Sequence, residues 1–195
     1  MVSEARERYR QELRRTILDA AREAFRAEGY AAVSMRRLAE AAGCTHGNLY
    51  VHFRDKEAIF DALVEDAFVQ LEEALRVSPK ITDPVTRLRR AARAYIDFAL
   101  ANPGAYEFAF ILRRPGARHS RPHRAYEHVR TLVQRCIDEK RFRRIDADVA
   151  SQALWAAVHG ITSLFITRDS FPWADRDAIM QRVIDSAVDG LLRDK

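Results

Sequence analysis

The sequence predicts an all-α chain of 195 residues, with a three-helix head followed by a larger helical body. Three observations carry this. Apolar residues recur at a 3.6-residue period in nearly every segment, no segment sustains the alternation of a strand, and helix-capping residues or Pro and Gly breakers punctuate the pattern at regular intervals.

The first helix is marked by Leu13, Ile17, Ala20, Ala21, Ala24 and Phe25, and Gly29 stops it. Ser34 is placed to cap a short helix ending near Ala41, with Leu38 turned inward. After a break at "AAG", Thr45 caps a second short helix reaching Tyr50 or Val51, and Asp55 caps a third, longer one. Ile59, Phe60, Leu63, Val64, Ala67 and Leu71 form the stripe of that longer helix. "SPKITDP" is a connector, and Asp83 followed by Pro84 opens the next helix, which runs to the break at "ANPG". A short apolar helix, "AYEFAFIL", precedes the basic loop "RRPGARHSRPH". Tyr126, Val129, Val133, Cys136 and Ile137 mark another helix, and Asp146 or Asp148 begins the next. That helix is apolar on more than one side, through Leu154, Ala157, Val158, Ile161, Leu164 and Phe165. The last carries Ile179, Met180, Val183, Ile184, Ala187, Val188 and Leu191.

Composition narrows the functional classes. The hydrophobic content of 48% is that of a globular chain with a substantial core. The charged N-terminus "MVSEARERYRQELRR" lacks a signal-peptide pattern, and no apolar run reaches membrane-spanning length, so a cytoplasmic location away from membranes is expected. Cys44 and Cys136 are far apart and have no metal-ligand spacing, which predicts free thiols. No Ser–His–acid set, HExxH motif, cysteine cluster or phosphate-cradling glycine loop is present, so neither an enzyme nor a cofactor or metal site is expected. Glu107, Asp97 and His159 carry the right chemistry, but spacing alone does not assemble them. The net charge of +5 is compatible with a polyanionic partner. The basic excess lies in residues 76–148, where it fits either an anionic ligand or a solvated face.

The stretch "CTHGNLYVHF" is too polar for core and too patterned for loop. Two short helices joined by a tight glycine turn and braced by a longer helix suit a helix-turn-helix. One helix crosses phosphates while the second is slim enough for the major groove. Leu38, Leu49 and Phe53 would lock the pair against Ile17 and Phe25, Gly43 would make the turn, and Gly47 would keep one face narrow. Thr45, His46, Asn48 and Tyr50 would then face outward.

Residues 34–64, "SMRRLAEAAGCTHGNLYVHFRDKEAIFDALV", closely resemble the TetR family of bacterial one-component regulators, through "LAEAAG", "GNLYVHF" and "DKEAIF" in that order and spacing. The resemblance covers roughly residues 10–65. It implies a DNA-binding head over residues 1–57, with a recognition helix at about 45–51, and an effector-binding and dimerisation body over residues 58–195. It also implies a homodimer on a palindromic duplex operator, released by a small-molecule effector, with repression the usual outcome and activation available to the same surface. Carried over by motif position, Ser34, Thr45, Tyr50, His52 and Lys56 contact phosphates, and His46, Gly47 and Asn48 contact bases. His46 and Asn48 both depart from residues frequent at their positions, so the operator sequence is not inherited. Bland readings stand beside these. Tyr50 and His52 also suit packing, Ser34 and Thr45 are equally caps, and Lys56 is equally a solvated lysine. A helical interaction module without DNA binding would explain the bundle but not the slim polar helix.

In the body, the wide apolar faces of the last two helices point to a four-helix interface between two chains. Phe165, Ile179, Val183, Ile184, Val188 and Leu191 are the interface candidates, with internal core as the alternative. "ALWAAVHG" sets Trp155 and His159 four residues apart on one helical face, before Gly160. Together with "YIDFALANPGAYEFAF" it resembles a Trp-His-Gly subclass of the same family. Tyr95, Phe98, Tyr106, Phe110, Tyr126, Trp155 and His159 suit a pocket for an apolar or aromatic effector. Aromatic core is the competing explanation.

Overall fold

The computed structural model describes residues 2–76, 78, 80–112 and 124–193. Nine α-helices occupy the described residues: α1 (Val2–Glu28), α2 (Met35–Ala41), α3 (His46–His52), α4 (Lys56–Ala74), α5 (Pro84–Ala101), α6 (Pro103–Tyr106), α7 (Arg124–Asp138), α8 (Ala147–Thr167) and α9 (Arg176–Asp189). A π-helical turn, Glu107–Ile111, continues from α6. The all-α expectation therefore holds. The basic loop "RRPGARHSRPH" falls outside the described residues, and with it Arg113, Arg114, Arg118 and Arg121.

Helix starts follow local chemistry. Ser34 accepts a bond from Arg37 N at 3.1 Å, Thr45 from Asn48 N at 3.2 Å and Asp55 from Ala58 N at 2.7 Å. Asp83 caps α5 through Thr86 N, with Pro84 in the first turn, and Asp146 and Asp175 cap α8 and α9. Each side chain satisfies an amide that the helix cannot. Gly29 and Gly43 sit at φ +79° and +62°, the left-handed region where a side chain is strained, so these two glycines make the turns after α1 and α2.

The chain divides into two compact units. The first contains residues 1–67 and 104–119, the second 68–103 and 120–195. Division by compactness thus differs from the functional division expected at residues 57 and 58, and α4 contributes to both units. The core of the first unit gathers Ile17, Ala21 and Phe25 of α1, Leu38 of α2, Leu49 and Phe53 of the α3 region, and Ile59, Phe60 and Leu63 of α4. Phe108 joins them, its ring 6.3 Å from that of Phe25 and 5.6 Å from that of Phe60. Arg26 Nε donates to Glu107 Oε2 at 2.8 Å beside this contact. The segment that sequence presents as a free-standing apolar helix is therefore partly head core.

The second unit packs α5 against α7, α8 and α9, and α8 against α7 and α9. Arg89 on α5 pairs with Asp185 and Asp189 on α9, and Arg93 reaches Asp177 at 2.6 Å. The C-terminal residues are tied back by Arg193 N donating to Arg141 O and Arg143 N to Leu191 O, both at 3.0 Å. Within α8, the buried hydroxyls of Ser151 and Thr162 donate to carbonyls one turn earlier, so neither is left unpaired.

Candidate nucleic-acid interface

Helix α3 is anchored from beneath. Leu49 is fully buried and Phe53 nearly so, while His46, Gly47, Asn48, Tyr50 and Val51 are exposed. A seven-residue helix with a single buried side chain has little stability of its own. Its caps and its seat on α1 and α2 hold it. The outward face is short donors and one phenol: the rings of His46 and Tyr50 lie 4.8 Å apart at 78°, an edge-to-face contact that props Tyr50 upright. A Cβ built on Gly47 would meet nothing within 4 Å, so the glycine there narrows the helix rather than relieving a clash inside this chain.

The eight DNA-contact candidates fall on one continuous stretch of the head. Ser34 and Thr45 are exposed caps at the starts of α2 and α3. His52 is half-buried, and burial, then the positive charges of Arg10 and Arg14, hold its imidazole below the usual histidine range. Lys56 has a second occupation that sequence does not reveal. Its ammonium donates to Tyr30 O and Val33 O, both at 2.8 Å, and lies 4.4 Å from the centre of the Tyr30 ring. Those two bonds tie the start of α4 to the α1–α2 connection and leave one N–H of the ammonium for another acceptor.

Known proteins share this architecture. Residues 17–63 match the model for bacterial regulatory proteins of the tetR family, and residues 88–187 match the tetracyclin repressor-like C-terminal domain. The chain is 30% identical over 189 residues to the HTH-type transcriptional activator FasR of Mycolicibacterium smegmatis, covering 94% of this chain and 81% of FasR.

The chain belongs to the TetR family of bacterial DNA-binding transcriptional regulators.

A further match, 47% identical over 53 residues, is to the HTH-type transcriptional repressor Rv1474c of Mycobacterium tuberculosis, of which it spans 28%. Among solved structures, a protein of unknown function from Rhodococcus sp. RHA1 superposes with a TM-score of 0.77 at 26% identity, covering 93% of this chain and 96% of that one. The TetR family regulator PfmR of Thermus thermophilus gives 0.68 at 26% identity, covering 91% and 99%. The TetR head and body are thus both matched, by separate family models and by whole-chain superposition.

The candidate effector residues divide between the two units. Tyr106 and Phe110 belong to the first, with ring centres 5.1 Å apart. Tyr95, Phe98, Tyr126, Trp155 and His159 belong to the second. The Tyr95 hydroxyl lies 3.0 Å from His159 Nδ1, and the His159 and Trp155 rings are 5.7 Å apart. Burial keeps His159 below the usual histidine range, which favours a neutral imidazole with one donor and one acceptor nitrogen. Tyr126 is engaged differently: its hydroxyl donates to Asp148 Oδ1 at 2.9 Å, and Arg130 Nε donates to the same oxygen at 2.8 Å. Trp155 is 42% exposed, more than a pocket wall would be in a closed single chain.

The interface candidates divide as well. Phe165, Ile184, Val188 and Leu191 are buried within the chain itself, where they make the core of α8 and α9. Ile179 and Val183 are half-buried. The apolar surface that these helices leave open lies elsewhere, at Val149, Trp155 and Leu164 of α8, with Phe171 in the connector beyond it. Among the described residues, α8 alone has the length and apolar composition of a membrane-crossing helix, yet only 39% of its apolar window is buried. A bundle helix shared between two chains has the same length and composition.

Proposed function

We infer that the chain acts as a homodimeric repressor that binds a palindromic duplex operator and is released by a small apolar or aromatic effector. The observation that supports this most is the slim polar face of α3, held outward by buried Leu49 and Phe53. In this reading Asn48 pairs with the edge of an adenine, His46 donates to a guanine, and Gly47 permits close approach. Ser34, Thr45, Tyr50, His52 and the remaining N–H of Lys56 hold the phosphates and set the register. Two copies must reach successive major-groove faces about 34 Å apart, which requires a dimer. The open apolar side chains of α8, with Ile179 and Val183 of α9, support a four-helix contact between chains. Trp155, His159 and Gly160 support membership of the Trp-His-Gly subclass.

The effector is placed at the Tyr95–His159 pair, with Phe98 beside it and Trp155 at the rim. Release requires that the effector bind one body conformation better than the other, since equal affinity shifts nothing. Helix α4, which supplies residues to both compact units, is the natural carrier of that difference. A second reading, activation from the same DNA contacts, is favoured by the near-full-length match to an activator. Selection of bound duplexes from a random pool, followed by in vitro transcription from a promoter carrying the selected site, tests both. Repression predicts reduced transcript, activation an increase, and failure to enrich any sequence contradicts the DNA-reading assignment.

A further inference from the structure

Helix α1 is longer than the head requires. It begins at Val2, whereas the family match begins at residue 17. The stripe Ile17, Leu13, Arg10, Arg6 recurs at helical spacing along one face. Its chemistry changes along the way: Ile17 is buried in the head core, Leu13 is half-buried, and Arg10 and Arg6 are exposed. The face that packs inside the head thus continues beyond it as a basic arm. Across from the arm stands α3. Arg6, Glu7, Tyr9, Arg10 and Leu13 on one side and Asn48, Val51 and His52 on the other enclose a cleft of about 770 Å³. Its second wall is therefore the flank of the recognition helix, and Asn48 belongs to both the cleft and the outward face.

The charges in this cleft are unspent. Further along α1, Arg22 pairs with Asp19 and Asp66, and Arg26 with Glu23 and Glu107. Among the described residues, no carboxylate pairs with Arg6, Arg10 or Arg14. The one acid in the cleft, Glu7, accepts from the Gln11 amide at 3.2 Å. Arg14 stacks its guanidinium 5.1 Å from the centre of the Phe53 ring, which fixes it beside the base of α3. Arginines held next to an exposed helix with no acid to meet are matched by an anion that arrives from outside, and guanidinium suits phosphate oxygens.

We propose that the α1 arm is a second wall of the DNA site: Arg6 and Arg10 clamp the phosphates of the strand that runs through the cleft between α1 and α3. This rests on the DNA-binding reading of α3 and deepens it, by adding contacts upstream of the family-matched head. The contacts are to backbone, so they supply affinity and salt dependence and carry no base preference.

The test uses the full chain and a duplex enriched by the wild type, with anisotropy titrations across a salt series. Arg6→Ala and Arg10→Ala should each weaken binding about tenfold and lower the slope of log affinity against log salt by about 1, with about 2 lost in the double variant. The ranking of duplexes bearing single base-pair changes should stay that of the wild type. Arg10→Lys should keep the slope, and Arg8→Ala, outside the cleft lining, should behave as wild type. A double variant with wild-type slope and affinity overturns the proposal while leaving the α3 assignment intact. A wild type that binds no duplex specifically overturns both.

Discussion

Helices α3 and α8 each leave one face open, and the two faces are opposites. The face of α3 is short, polar and irregular, with one buried residue, Leu49, beneath it. The face of α8 belongs to a 21-residue helix with eight buried positions, and Val149, Trp155 and Leu164 still project from it. A polar face on a helix too short to stand alone has no packing purpose, so it points to a ligand. An apolar face left open on a long helix points to a further layer of protein. The first can be recognised from sequence by the mismatch between residue type and position. The second is hidden, because outward and inward apolar residues look alike until burial is known.

The contrast between the two faces is most open to attack at the apolar one. Leu164→Arg should convert the dimer to monomer in sedimentation velocity, since a charge would have to be buried unpaired at the interface. Helical content by circular dichroism should be retained, because Leu164 is 47% exposed in the single chain. An unchanged dimer would move the interface off α8. Next in size, Leu49→Ala should cost about 2–5 kcal/mol in urea unfolding, as a cavity under α3, and should abolish specific DNA binding. The head then fails as a unit, although no candidate DNA contact has been altered.

Asn48→Ala should cost about 1–3 kcal/mol on the selected operator and relax preference at one position of each half-site. Equal loss on every sequence would reassign Asn48 to the phosphates. Thr45→Ala removes a cap worth about 1 kcal/mol. Its effect on stability and on DNA affinity should exceed that of Thr45→Ser, which keeps the hydroxyl.

The smallest effect is one of pH. His159 and His128 are both held by burial below the ordinary value of 6.5. The unfolded chain therefore binds protons first, so stability is full above about pH 6.5 and is lost as pH falls toward the depressed folded values. Thermal unfolding midpoints should drop between about pH 7 and about pH 5. His159→Gln should flatten that slope in part.

Much of the head is legible in the sequence because its signals are local. Ser34, Thr45 and Asp55 announce helix starts within three residues, and Gly43 announces the turn. Period alone assigns Leu38, Leu49 and Phe53 to the core, and all three are buried. What escapes is non-local. Phe108 lies far along the chain from Phe25, and nothing in "AYEFAFIL" says that its ring completes the head core. Lys56 gives no hint that it bonds two carbonyls near Tyr30. Arg6 and Arg10 pass for general N-terminal charge, although their alignment with Leu13 and Ile17 is the available signal. In the body, Phe165, Ile184, Val188 and Leu191 carry the periodicity of an interface, and of a core, in equal measure. The Tyr95–His159 contact joins two helices whose pairing no sequence period records.

The most direct test is the stoichiometry and sequence of the bound duplex. Selection from a random pool, followed by sedimentation of the complex, should give two chains on a palindrome whose half-sites lie about one helical turn apart, and Asn48→Ala should alter one base pair in each half. A single chain per site, or a selected pool with no common sequence, would contradict the claim that α3 is presented twice to read DNA.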